Sequence, residues 1–106
     1  MKILLDECVP TQVRHALVGH EASTTQKQGW AGISNGQLLD AAELAGFELF
    51  ILADKNLRYQ QNLTTRRIAI LELWTNHRPT LEKYFTLIAS AALKASPGSY
   101  VVLESP

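Results

Sequence analysis

The sequence predicts an α/β protein with a mainly parallel sheet of four to five strands and helices on both faces. Short apolar runs alternate along the 106-residue chain with segments whose apolar residues recur at helical spacing. The run from Phe47 to Ala53 is almost wholly apolar, which is typical of a strand that is covered on both faces. Apolar residues make up 46% of the chain, so one core can be buried and residues 1–106 are predicted to form a single domain.

The first quarter of the chain has the pattern strand, helix, strand. Lys2 to Leu5 is a short apolar run closed by two acids, and it predicts a buried strand. Pro10 suits the first position of a helix whose apolar residues continue at helical spacing to Leu17. A short strand is expected at Glu21 to Thr25, and a loop at Gln26 to Ile33, where two glycines surround a tryptophan.

A second helix and the strongest strand follow. Ser34 and Gln37 have the spacing of a capping box, in which each side chain satisfies an amide at the helix end. This helix is predicted to end at Gly46, and the apolar run of Phe47 to Ala53 comes next as a strand.

The second half repeats the alternation. Lys55 to Thr65 is polar and predicts a loop or a short helix, and Arg67 to Leu73 predicts another strand. Thr80 is the expected cap of a third helix with a long apolar face. Tyr100 to Leu103 is the expected last strand, at an edge of the sheet.

Composition excludes several classes of protein. The net charge is zero and the mean hydropathy is −0.03, which argues against intrinsic disorder. No apolar run approaches the roughly 18 residues of a membrane-spanning helix, so no membrane partner is expected. A single cysteine cannot form an internal disulfide, and the expected location is the cytoplasm. Residues 1–54 hold seven acids and three bases, whereas residues 55–106 hold seven bases and three acids, an asymmetry that hints weakly at a polyanionic partner.

Carboxylates stand at the ends of three predicted strands. Asp6, Asp54 and Glu72 follow or end these strands, and Glu7 adds a fourth acid. If the first and third strands are neighbours where the strand order reverses, Asp6 and Asp54 face one crevice. Crowded carboxylates repel one another, and a divalent cation removes that penalty. Oxygen ligands favour Mg²⁺ or Mn²⁺, which can activate water against a phosphodiester.

The competing interpretation is structural. An acid after a strand often caps a helix or forms a turn, and Asp6 is placed to cap the first helix. Glu72 alternates with Leu71 and Leu73, so its side chain is then expected to face solvent.

Basic and aromatic residues suggest contacts with nucleic acid. The bases that follow the third strand are candidates for phosphate contacts: Lys55, Arg58, Arg66, Arg67 and Arg78. Trp30, Tyr59 and Trp74 are candidates for stacking on unpaired bases, although packing in or beside the core explains aromatics equally simply.

The residues also resemble a known family. Four segments carry the resemblance: Met1 to Glu7 followed by Pro10, the pair Gly19-His20, Gly32 to Ala42, and Leu52 to Leu57. Over roughly residues 1–75, they together resemble the short PIN-like nucleases of toxin–antitoxin systems. The resemblance implies a PIN-like Rossmann-type three-layer fold and a Mg²⁺- or Mn²⁺-dependent endoribonuclease. The expected partners are an RNA substrate, a cognate antitoxin and a second copy of the chain.

The resemblance also assigns site residues. Asp6 and Asp54 match the catalytic, metal-binding acids of the family, and Glu7 matches the acid beside the first of them. Asn56 stands where many relatives carry a further Asp; its amide oxygen can ligate a metal, but without a charge. The helical acid of larger PIN domains has only Asp40 and Glu43 as candidates here.

Two alternatives stay open at this stage. Asn56 favours an inactive PIN-like module that binds nucleic acid or protein without cutting. A receiver domain would use Asp6 and Glu7, a phospho-acceptor Asp54, and Thr75 after the fourth strand. That class also places a lysine after the fifth strand, and nothing basic follows Lys94 in this chain.

Overall fold

The described chain folds around a five-stranded parallel sheet. A computed structural model describes residues 1–53 and 66–106. The strands are β1 (Lys2–Leu5), β2 (Glu21–Thr24), β3 (Leu49–Leu52), β4 (Ala69–Glu72) and β5 (Tyr100–Val102). Their spatial order is β2-β1-β3-β4-β5, and every pair is parallel. The predicted α/β class and parallel sheet are therefore confirmed.

Helices cover both faces of the sheet, which gives three layers. A 3-10 helix spans Thr11–Ala16, and four α-helices lie in the described residues. These are α1 (Thr25–Gln28), α2 (Asn35–Leu44), α3 (Arg78–Glu82) and α4 (Phe85–Lys94). Because side chains alternate along a strand, Leu4 and Phe50 pack against α2, whereas Ile3 and Leu49 pack against the 3-10 helix, α3 and α4.

The apolar runs form the central strands of the sheet, where both faces of a strand are buried. All four residues of β3 and all four of β4 are buried, as expected for strands between two helical layers. The register pairs Ile3 with Leu49 and Leu49 with Ala69. The first and third predicted strands along the apolar runs are therefore neighbours, as β1 and β3, and β5 lies at an edge of the sheet as expected.

The beginning of α2 was predicted correctly from its cap. Ser34 accepts a hydrogen bond from the backbone N–H of Gln37 over 3.3 Å, and Leu38, Leu39 and Ala42 are buried against the sheet. Gly46 has a φ of +86°, a conformation that side chains with a Cβ rarely adopt, and it turns the chain from α2 into β3. This places the N-terminus of α2 near the carboxyl ends of the strands.

Three helical predictions need correction. The segment predicted as a loop at Gln26 to Ile33 begins with α1, because the Thr24 hydroxyl caps it by accepting from the Lys27 N–H over 3.1 Å. The first predicted helix is a 3-10 helix. Thr80 does not cap the third helix: the helix begins at Arg78, and the Thr80 hydroxyl hydrogen-bonds the His77 ring instead. The chain then breaks into α3 and α4.

The predicted loop or short helix at Lys55 to Thr65 lies outside the described residues. None of the helices in residues 1–53 and 66–106 is long and apolar enough to cross a membrane.

Candidate functional site

A cavity of about 350 Å³ lies where the strand order reverses. The connection from β1 leads to β2 on one side, and β3 and β4 follow on the other, so the crevice between β1 and β3 is the switch point of the sheet. Open α/β sheets bind ligands at this point, beyond the carboxyl ends of the strands. The lining includes Asp6, Glu7 and Cys8 after β1, Ala53 after β3, Trp30, and Leu38 of α2.

Asp6 is fixed in this crevice by its backbone. Its N–H donates to the Ile51 carbonyl of β3 over 2.9 Å, which continues the ladder between β1 and β3. Its own carbonyl accepts from the Val9 N–H over 3.0 Å, in the turn that leads to the 3-10 helix. The side chain is half-buried, whereas that of Glu7 is exposed. The structure therefore fixes the backbone of Asp6 at the cavity, whereas Glu7 lies at the rim of the cavity.

Cys8 is a neighbour of Asp6 that no motif in the sequence assigns to the site. Its thiol Sγ lies 3.0 Å from Asp6 Oδ2 and donates to it. Burial, the hydrogen bond to Asp6 and the charge of Asp6 raise the pKa of the Cys8 thiol from 9.0 to about 12. Because the thiol stays protonated at neutral pH, it is a hydrogen-bond donor to Asp6. Among the described residues of this wall, the acidic groups are therefore the carboxyl groups of Asp6 and Glu7.

Glu72 is buried, and the expectation that it faces solvent is wrong. Its exposed fraction is 1%, and its Oε1 accepts a hydrogen bond from the Tyr100 hydroxyl of β5 over 2.6 Å. Both faces of β4 are covered, so the alternation with Leu71 and Leu73 places Glu72 against the opposite helical layer and not in water. In the sequence, the position of Glu72 inside an apolar run was the signal that its side chain is buried. Glu72 is not among the described residues that line the cavity beside Asp6.

The predicted basic residues are not all at one edge. Arg66 and Arg67 precede β4, so their backbone lies at the amino ends of the strands, away from Asp6. The Arg66 guanidinium is paired with Asp40, and with Glu43 over 3.1 Å, along α2. The hydrogen bond to Asp40 raises the pKa of this guanidinium further above its ordinary value. Asp40 and Glu43 are therefore partners of Arg66 rather than acids of the cavity.

Arg78 is placed differently. It begins α3, the helix that follows the carboxyl end of β4, and its side chain is 55% exposed. Its Nε pairs with Glu82 one helical turn later, over 3.2 Å. Among the predicted phosphate-binding residues that the structure describes, Arg78 is the one that follows the carboxyl end of a strand.

The predicted metal site is described only in part. Asp54, Lys55, Asn56 and Arg58 lie outside the described residues. Within residues 1–53 and 66–106, no three His, Cys, Asp or Glu side chains lie close enough together to hold a metal ion. Asp6 and Glu7 are the two members of the predicted ligand set that the structure describes.

A larger cavity of about 610 Å³ lies at the amino ends of the strands. Its lining contains the ion-paired groups Asp40, Glu43 and Arg66, together with Arg67 and Phe47. Acids and a base that already neutralise one another are poor candidates for chemistry. The smaller cavity at the switch point is therefore the candidate site.

No protein-family model matches the chain, and no curated protein or solved structure matches it either.

Proposed function

We propose that the chain is a Mg²⁺- or Mn²⁺-dependent endoribonuclease of the PIN-like kind, with its active site at the switch-point cavity. One observation carries the proposal: β1 and β3 are adjacent and parallel at the reversal of strand order, and Asp6 is hydrogen-bonded across them to Ile51. Asp54 follows Ala53, a residue that lines the same cavity. The carboxyl ends of β1 and β3 therefore meet at one crevice of the sheet, and we assign Asp54, the next residue after Ala53, to that crevice.

The chemistry of the donors fits a hard divalent cation. Asp6 and Glu7 offer carboxylate oxygens, and we assign Asp54 and Asn56 as the further ligands. The neighbouring sulfur of Cys8 is a protonated donor to Asp6 and does not compete as a soft ligand. When bound, the cation supplies a more acidic water and neutralises charge on a phosphodiester.

The chain's own residues position the reactants. The Cys8 thiol and the β3 backbone restrict Asp6, so its carboxylate is oriented before substrate arrives. The exposed Arg78, with Lys55 and Arg58, supplies positive charge for RNA phosphates. The reaction adds one water across a P–O bond of the RNA, so that one fragment keeps the phosphate and the other gains a hydroxyl group. Arg66 and Arg67 have no part in this proposal.

An inactive PIN-like module is the second candidate, and Asn56 favours it. An amide at this position carries no charge, so the ligand set has one negative charge fewer than an acid there would give. Such a protein would bind RNA or a protein partner, such as an antitoxin, without cutting.

The decisive experiment incubates the protein with end-labelled single-stranded RNA in Mg²⁺, in Mn²⁺ and in chelator. We expect cleavage only with metal, and a loss of at least about 100-fold in Asp6→Asn and in Asp54→Asn. Glu21→Gln, at the other end of the sheet, is the matched control and should cut normally. Calorimetry with Mn²⁺ should show binding that both Asp variants weaken.

Cleavage that persists in chelator, or in both Asp variants, would come from a contaminant and would end the proposal. RNA binding without cleavage would favour the inactive module, and recovery of cleavage in Asn56→Asp would then identify the cause.

A further inference from the structure

Trp30 is an aromatic wall of the cavity that holds Asp6. It lies in the loop between α1 and α2, is half-buried, and lines the cavity together with Leu38. The other tryptophan, Trp74, lies against Tyr84 in the opposite helical layer. Both tryptophans are half-buried and pack against a core cluster, but Trp30 also lines the candidate site.

The position of Trp30 is fixed by its surroundings. The backbone N–H of Trp30 donates to the Thr25 carbonyl over 2.9 Å. The glycines before and after it in the loop, Gly29 and Gly32, have φ angles of +79° and +84°. The indole packs edge-on against Phe47, with ring centroids 5.9 Å apart and planes at 75°. A ring held in this way is preorganised, so a ligand that stacks on it loses little binding energy to ordering the protein.

The charge of the cavity restricts what can lie beside Trp30. Among the described lining residues the charged groups are the acids Asp6 and Glu7. Acids repel a phosphate that no cation accompanies, but they tolerate a neutral aromatic ring and accept hydrogen bonds from its amino groups. At about 350 Å³ the cavity is within the size range of small-molecule sites. Beside a phosphate that the proposed cation accompanies, these walls suit a flat, neutral, nitrogen-bearing ring.

We propose that Trp30 is the stacking platform for one unpaired base of a single-stranded RNA, seated in the cavity beside Asp6. The proposal rests on the proposed function, because it takes RNA as the ligand, and it adds where a base is held. Base stacking on an aromatic side chain is tolerant of sequence, so the site selects unpaired over paired nucleotides rather than one base over another.

The test uses fluorescence in the Trp74→Phe background, where Trp30 is the remaining tryptophan. A short oligoribonucleotide is titrated with Ca²⁺ in place of Mg²⁺, so that binding is measured without cleavage. We expect saturable quenching by the oligonucleotide, and none by an abasic oligomer of the same length and charge. Because quenching is read from Trp30 itself, this arm does not depend on how a Trp30 variant folds.

Substitution of Trp30 is the second arm. Trp30→Leu should weaken binding roughly 5- to 100-fold, and Trp30→Phe should keep most of the affinity. The matched control Trp74→Phe should bind as the unaltered protein does. Melting temperatures of the variants show whether a loss of affinity reflects unfolding.

The outcomes separate this proposal from the nuclease. Equal quenching by the abasic oligomer, or unchanged affinity in folded Trp30→Leu, would overturn the stacking site even if RNA is cleaved. Base-dependent quenching without cleavage would support the stacking site and count against the nuclease. Absence of any RNA binding would overturn both.

Discussion

At the scale of single residues, burial and the contact with Asp6 together set the protonation state of the Cys8 thiol. The thiol is half-buried and donates to a carboxylate, so its charged form is disfavoured both by desolvation and by the neighbouring charge. The thiolate is the reactive form of cysteine. Cys8 should therefore be inert at the pH at which an ordinary cysteine begins to react.

We expect iodoacetamide to alkylate native Cys8 on the order of 100- to 1000-fold more slowly than the urea-unfolded chain at pH 8, because the pKa rises from 9.0 to about 12. The rate in the native protein should increase as the pH is raised further. Quantitative mass spectrometry over time measures both rates, and equal rates in the two states would contradict the environment described for Cys8.

The same shift has a consequence for stability. Below pH 8 the thiol is protonated in both states and contributes no pH dependence. Between about pH 9 and 12 the unfolded chain releases the proton while the folded chain keeps it, so the free energy of unfolding falls as the pH rises. The serine hydroxyl of Cys8→Ser does not titrate in this range. This variant should therefore lack the part of the fall in the free energy of unfolding that comes from the thiol.

At the scale of elements, β4 is attached to α2 through the residues that precede it. The Arg66 guanidinium bonds to Asp40 and Glu43, and the backbone N–H of Arg67 donates to Glu43 Oε2 over 3.0 Å. The Arg66 side chain is 17% exposed, whereas Arg67 is exposed. The two adjacent arginines thus have different roles, which the sequence alone does not distinguish.

Arg66→Ala should lower the free energy of unfolding by about 1–2 kcal/mol, because it leaves the half-buried Glu43 without its ion pair. Urea denaturation measures the change. Arg67→Ala is the control and should stay within about 0.5 kcal/mol, since its backbone hydrogen bond is retained. Equal effects of the two substitutions would show that the ion pair adds nothing.

Strands were easier to predict than short helices, for a physical reason. A strand buried on both faces needs a nearly continuous apolar run, and such runs are visible at Leu49 to Ala53 and Ile68 to Leu71. The four residues of α1 have no apolar face, and their helix depends on the Thr24 cap and on Gly29. The break between α3 and α4 is equally local, and its cause is not visible in the helical spacing.

The candidate site was predictable in part. Alternation of strands and helices predicts Asp6 at the carboxyl end of a strand of a parallel sheet, whereas the order that makes β1 and β3 neighbours is seen in the structure. The hydrogen-bond partner of the buried Glu72 is Tyr100, 28 residues later, and no local pattern identifies that partner. The pairing of Arg66 with α2 is likewise a tertiary contact, and charge counting alone could not separate it from phosphate binding.

At the scale of the whole molecule, protection of the backbone should follow the order of the strands. β1, β3 and β4 each lie between two neighbours, whereas β2 and β5 each have one. Hydrogen exchange followed by NMR should therefore be slowest for the amides of the three inner strands, and at least about tenfold faster for β2, β5 and the 3-10 helix. Exchange in β5 as slow as in β3 would indicate that another chain covers this edge.

The same strand order has a consequence during synthesis. Parallel neighbours cannot be joined by a hairpin, and the partner of Ile3 on one side is Leu49. At a translation rate of roughly 5–20 residues per second, this edge of the first strand waits some 2–10 seconds for its partner to be made. During that interval the apolar run Ile3-Leu4-Leu5 offers unpaired backbone to any other extended chain. The nascent protein is therefore prone to aggregate through this edge of its first strand until Leu52 has emerged from the ribosome.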